Sequence, residues 1–201
     1  YHSTSFVTER TIDHIQRKSS DAEPWLIWCS YPDPHHPLTP PGKWFNRYEP
    51  EDMNLPDSRK DTLKDAPEHL RLFRGMHPSK QRDWVSPCGY GGDELLQEAI
   101  AATYGMIEMV DDGIGKILQS LKESGELENT IIVFTSDHGD MMGDHGLFLK
   151  GFMHYQGTLR VPLVISAPGA EAQVNRALVS STDICPTLLD LCEIPSYDGI
   201  Q

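Results

Sequence analysis

"NTIIVFTSDHGDMMGDHGLFLKG", residues 129–151, decides the fold. Its first third, Thr130 to Ser136, is an apolar run rich in β-branched residues, the pattern of a strand buried on both faces. That strand ends at Asp-His-Gly, residues 137–139, and the same tripeptide returns at 144–146. A second run of the same kind, "VPLVISAPG" at 161–169, predicts another buried strand.

Helices flank these runs. Between Asp93 and Glu123, Leu96, Ile100, Ile107, Val110, Ile114, Ile117 and Leu121 recur every three or four residues, which predicts one long amphipathic helix. "STDICPTLLDLCEI", residues 181–194, predicts a helix capped by Ser181 or Thr182, with Pro186 tolerated in the first turn. Near the start, "TSFVTERTIDHIQRK" carries Phe6, Ile12 and Ile15 at helical spacing behind a Ser/Thr cap. "PWLIWCSY", residues 24–31, reads as a buried strand, and 32–92 as a long excursion with short helices. Alternating helices and continuously apolar strands specify an α/β fold with a largely parallel central sheet flanked by helices.

Composition narrows the function. The 201 residues carry 17 basic and 30 acidic side chains, a net charge of −13 that disfavours nucleic acid and anionic membrane surfaces as partners. No apolar run reaches the roughly 20 residues of a membrane helix, so the chain reads as soluble, with a cytoplasmic, periplasmic or secreted location left open. Cys29, Cys88, Cys185 and Cys192 show no CxxC or zinc-knuckle spacing and read as buried free thiols.

Chemistry is expected beyond the carboxyl ends of strands. Asp137 and His138 stand there, a carboxylate and an imidazole suited to half a metal site, with Gly139 allowing a sharp turn. For a lone tripeptide, a strand-end turn in which Asp137 caps the next segment is the favoured reading. The second copy lacks a preceding strand and reads as a loop or short helix with a solvated or locally bonded His145, without a ligand role. Lys150 is either an ammonium beside a metal-held anion or a solvated charge. In "YPDPHHPLTPP" the prolines stiffen a loop that bears His35 and His36, as acid/base work requires; an incidental connector fits as well.

Together these segments resemble the sulfatase family of the alkaline phosphatase superfamily, which includes phosphonate and phosphate monoester hydrolases. The likeness rests on "NTIIVFTSDHGDMMGDHGLFLKG" followed by "RVPLVISAPG", on "DPHHPLTPP", similar to a Pro-His-x-Pro segment, and on the Asp-x-x-Pro-Thr of "STDICPTLLDLCEI". It implies an alkaline phosphatase-like fold, Asp137 and His138 as metal ligands, Lys150 on the sulfate or phosphoryl oxygens, and His35 on the ester or its leaving group. His36 occupies the variable position of the motif. Ca²⁺ is the metal the resemblance implies, whereas an imidazole ligand suits Mn²⁺, Zn²⁺ or Fe²⁺ better.

Two family features are not in the sequence: an acidic pair near the N-terminus, and the Cys/Ser-x-Pro/Ala-x-Arg motif that matures to formylglycine. Cys88, in "CGYGGD", lacks the required Pro and Arg. The resemblance therefore implies that residues 1–201 are an internal part of a catalytic domain, inactive alone, with formylglycine in a segment outside it. For the intact enzyme it implies metal-dependent hydrolysis of a small-molecule or carbohydrate sulfate ester. A phosphonate or phosphate monoester hydrolase on the same scaffold, or a noncatalytic fragment, are the alternatives.

Overall fold

The computed structural model describes residues 2–21, 23–75, 85–86, 89–151 and 153–199. Two compact units form: residues 1–127 with 138–160, and residues 128–137 with 161–201. Cys88 lies outside the described residues.

In the first unit, helix α1 (Ser3–Lys18) packs on helix α3 (Asp93–Glu123). Helix α3 keeps the bounds its periodicity predicts. Its buried face is offset, however, and includes Gly105, Met106, Met109 and Gly113, while Ile107 is exposed and Val110, Ile114 and Ile117 are half-buried. The reason is close approach. A Cβ on Gly105 would run into the carbonyl oxygen of Trp44, and one on Gly113 would lie 2.6 Å from the Thr8 hydroxyl. Small residues decide which face can meet its neighbours.

Helix α1 shows the same effect. The side chain of His2 caps it, and its buried stripe is Thr4, Thr8, Thr11 and Ile15 rather than one led by Phe6, which is exposed. Residues 32–92 do hold short elements. Three single 3₁₀ turns, at Gly42–Trp44, Pro50–Asp52 and Asp57–Lys60, precede helix α2 (Glu68–Gly75). A two-residue antiparallel pair, strands β1 (Val85–Ser86) and β2 (Gly89–Tyr90), follows.

The apolar core of this unit has two clusters: Leu96, Ala99, Ile100, Phe148 and Leu149, and Leu70, Met141, Leu147 and Met153. Consecutive residues Leu147 and Phe148 thus enter different clusters, which fixes the backbone leading to Lys150. Helix α4 (Gln156–Leu159) is a single turn.

Segment 24–31 is not the buried strand its composition suggests. It has no ladder partner among the described residues, and Leu26 and Trp28 are 78% and 82% exposed. Apolar composition predicts a strand only where pairing partners cover it.

The second unit contains strands β3 (Ile132–Thr135) and β4 (Leu163–Ser166), paired antiparallel with Ile132 opposite Ser166 and Thr135 opposite Leu163. Neither is buried on both faces; Phe134 and Val164 are exposed. The expectation of a largely parallel sheet is not met among the described strands, all of which pair antiparallel. Apolar runs signal burial, not strand direction. Helix α5 (Ile184–Leu191) follows a 3₁₀ turn at Ser181–Asp183; that turn is capped by Ser180, whose N–H donates to Asp183 at 2.6 Å, and Asp183 occupies the cap position of α5 itself. Pro186 does occupy the first turn of α5. Cys29, Cys185 and Cys192 are free, as expected, but exposed rather than buried.

Two glycines of α3 give opposite predictions. Gly105→Ala, blocked by the Trp44 carbonyl, should destabilise the protein by about 1–3 kcal/mol. Gly115, with open space around it, should accept Ala with a gain of about 0.5–1 kcal/mol. Thermal denaturation of both variants checks this, and equal shifts would contradict the packing described.

Candidate active site

Residues 138–160 close on themselves. Gly139 N–H donates to Thr158 O at 2.9 Å. A Cβ at Gly139 would run into Gly157 O, so this glycine permits two backbones to touch rather than a turn at positive φ. Next, Met141 N–H donates to Leu149 O at 2.8 Å and Gly143 N–H to Leu147 O at 2.9 Å, making a narrow loop whose tip is 143–146. Its return arm is buried through Leu147–Leu149, and Lys150 emerges where that arm ends.

The second Asp-His-Gly copy is this tip. It forms a 3₁₀ turn with His145 at φ 53°. Asp144 accepts a hydrogen bond from the Ser58 hydroxyl. His145 Nδ1 lies 2.8 Å from Asp61 Oδ2, and its ring stacks on Tyr155 with centroids 4.1 Å apart. The histidine is hydrogen-bonded, though to a residue remote in sequence rather than locally. Asp61 is held below its ordinary carboxylate range, chiefly by His145 and then by the Leu63 N–H. This copy ties the 57–63 segment to the loop.

The first copy is built differently. Asp137 is exposed just beyond β3, and the Ser136 hydroxyl donates to it at 3.4 Å. His138 Nδ1 lies 2.9 Å from Gly139 O. A carbonyl only accepts, so Nδ1 carries a proton; in the neutral ring Nε2 then bears the lone pair that a metal ligand needs. The donor chemistry of the pair, one carboxylate and one imidazole, fits a share of a divalent-metal site. Among the described residues no group of three His, Cys, Asp or Glu is assembled to complete one.

Around Lys150 the first unit gathers more charge. Asp140 is half-buried and pushed above its ordinary range, mainly by burial, against the N–H groups of Met142 (2.9 Å) and Leu149 and the charges of Lys150 and His138. His36 is held below the histidine range by desolvation, then by the positive fields of His35 and Lys150, with Asp140 opposing. The rings of His35 and His36 stack at 4.0 Å, and His35 Nδ1 meets His36 O at 2.7 Å. The proline-stiffened loop, Asp140 and Lys150 therefore lie within electrostatic reach of one another. Asp140 is the residue that sequence reasoning overlooked; its only signal was a further carboxylate directly after the tripeptide.

Comparison with known proteins identifies the family. The Sulfatase family model matches residues 1–194. The chain is 37% identical to an arylsulfatase of Clostridium perfringens over 209 residues, covering 100% of this chain and 40% of that protein. It is 34% identical to the uncharacterized sulfatase YidJ of Escherichia coli, covering 94% and 35%. The phosphonate monoester hydrolase SpPMH from Silicibacter pomeroyi superposes with a TM-score of 0.85 at 27% identity, over 100% of this chain and 40% of its own. These findings define a partial α/β domain of alkaline phosphatase-like fold. The chain belongs to the sulfatase family, and it spans 35–40% of the length of these curated relatives.

The Asp140 carboxylate gives a pH prediction. Because its folded-state pKa is raised, burying its charge costs stability once pH rises past the ordinary carboxylate range, and that cost vanishes in acid. In metal-free protein, Asp140→Asn should raise Tm at about pH 7.5, with the gain shrinking toward about pH 4. A lower Tm at the higher pH would show that the backbone hydrogen bonds and the nearby positive charge of Lys150 outweigh burial.

Proposed function

We propose that the intact protein carrying this chain is a metal-dependent hydrolase of sulfate esters, and that residues 1–201 supply metal ligands and charge-handling groups of its catalytic domain. The observation that supports this most is the match of the Sulfatase family model to residues 1–194, and a cation, Lys150, at the end of the buried 147–149 arm suits the departure of an anionic ester group.

A divalent metal, Ca²⁺ or one of Mn²⁺, Zn²⁺ and Fe²⁺, held in part by Asp137 and His138, supplies positive charge toward the ester oxygens when bound. Lys150 adds an ammonium to those same oxygens, which gather negative charge as the bond breaks. His35, with its Nδ1 proton engaged by His36 O, has Nε2 available to carry a proton to the departing alkoxide. The nucleophile, formylglycine in the family resemblance, is assigned to no residue of this chain. The substrate class is a small-molecule or carbohydrate sulfate ester. Among the described residues no helix is long and apolar enough to cross a membrane.

A phosphonate or phosphate monoester hydrolase is the second reading, favoured by the superposition on the Silicibacter enzyme. Comparing kcat/KM of the intact protein on an aryl sulfate and on an aryl phosphonate monoester separates the two, with the sulfate preferred here. His35→Ala should lose about 10²–10⁴-fold on an alkyl sulfate and far less on an activated aryl sulfate, because only the poor leaving group needs a proton. Lys150→Ala should slow both by a similar factor, about 10²–10³-fold. A His35→Ala defect independent of leaving-group pKa would remove the general-acid role.

A further inference from the structure

The extended segment before the histidine loop is fastened to α1 by a ladder of hydroxyls. Thr4, Thr8 and Thr11 recur about one helical turn apart and face one side of α1; Asp33, Tyr31 and Cys29 alternate along extended chain and face one side of it. Two extended residues advance about 6.6 Å and one helical turn about 5.4 Å, so the rungs stay in register as the two segments run in opposite directions. The Thr4 hydroxyl donates to Asp33 Oδ2. Thr8 and Tyr31 share a bond of 2.9 Å, and Thr11 donates to Cys29 Sγ at 3.3 Å. With the Thr8 proton directed to Thr4 O at 2.9 Å, the Tyr31 phenol is the donor on the middle rung. It stays protonated, since burial pushes its pKa up to about 12.

Asp33 is the terminal rung and the most heavily engaged. Its side chain is 7% exposed, it accepts from Thr4 and from Ser3 at 3.3 Å, and it lies 3.5 Å from His2 Nδ1. All of these partners sit in the first turn of α1 or at its cap, where a carboxylate also meets the positive end of the helix dipole. One residue, Pro34, separates Asp33 from Pro34's successor His35, and its ring fixes φ, so little torsional freedom intervenes. His35 N–H also donates to Pro32 O at 3.0 Å, closing the backbone around the anchor.

We propose that Asp33 is the positioning residue for His35: it locks the histidine loop to the N-terminus of α1 and so sets where the His35 ring stands against the ester. The proposal rests on the reading that His35 protonates the leaving group. Asp33 touches no reacting atom. Its loss displaces the histidine rather than removing a catalytic group.

The test compares kcat/KM of the intact protein on an alkyl and an activated aryl sulfate for Asp33→Ala, Asp33→Asn, Thr4→Val, Thr11→Val and His35→Ala. Asp33→Ala should lose about tenfold more on the alkyl ester than on the aryl one, and the double variant with His35→Ala should be no slower than His35→Ala alone. Asp33→Asn, which keeps an acceptor for Thr4, should recover most of the alkyl rate, and Thr4→Val should reproduce part of the defect. Thr11→Val, at the far end of the ladder, should lower Tm without changing the alkyl-to-aryl ratio. If His35→Ala is leaving-group-dependent while Asp33→Ala slows both esters equally, or only lowers Tm, the positioning role is overturned. If His35→Ala itself shows no such dependence, the general-acid reading falls and the proposal with it.

Discussion

The contact between Gly139 and the backbone of 157–158 is the constraint on which the candidate site depends. Without a side chain at 139, the chain leaving the first Asp-His-Gly touches the turn at Gly157 and hydrogen-bonds Thr158. That closure defines a compact loop between 138 and 160. Inside it, the Met141–Leu149 and Gly143–Leu147 bonds and the burial of Leu147 and Phe148 leave Lys150 one place to emerge. The glycine of the motif lets a metal-ligand candidate, a half-buried carboxylate and a lysine share one compact segment.

The two tripeptides divide the labour. In the first, the histidine ring is held by the carbonyl of its own neighbour. In the second, the ring is consumed by Asp61 and Tyr155, and its aspartate by Ser58. Identical residues acquire different roles because one set follows a strand end and the other occupies a loop tip pinned by a remote segment. The His145–Asp61 contact lies in an exposed setting, where solvent screens its charge, so its role is to fix the position of the tip.

Local pattern carried much of this into the sequence. Helix α3 could be bounded from its apolar repeat, and the family motifs pointed to Asp137, His138, Lys150 and His35 as candidates. What could not be read depends on partners distant in sequence. The buried stripe of α1 is made of threonines because it pairs with alternate residues of 29–33, and a search for apolar periodicity points to Phe6 instead. Gly105 and Gly113 set the packed face of α3 by what they lack. The antiparallel pairing of β3 and β4 and the exposure of Leu26 and Trp28 follow from which strands neighbour them, which composition does not encode. Asp33 and Asp140 went unnoticed for the same reason, since their meaning comes from Thr4 and Lys150.

The central claim is that the first Asp-His-Gly, and not the second, holds the metal. Anomalous diffraction from crystals of the intact protein grown with Mn²⁺ tests it most directly. The account predicts a peak bounded by the Asp137 carboxylate and His138 Nε2, with none at Asp144 or His145. A peak at the second copy, or full metal occupancy with Asp137 and His138 both outside its coordination shell, would contradict it.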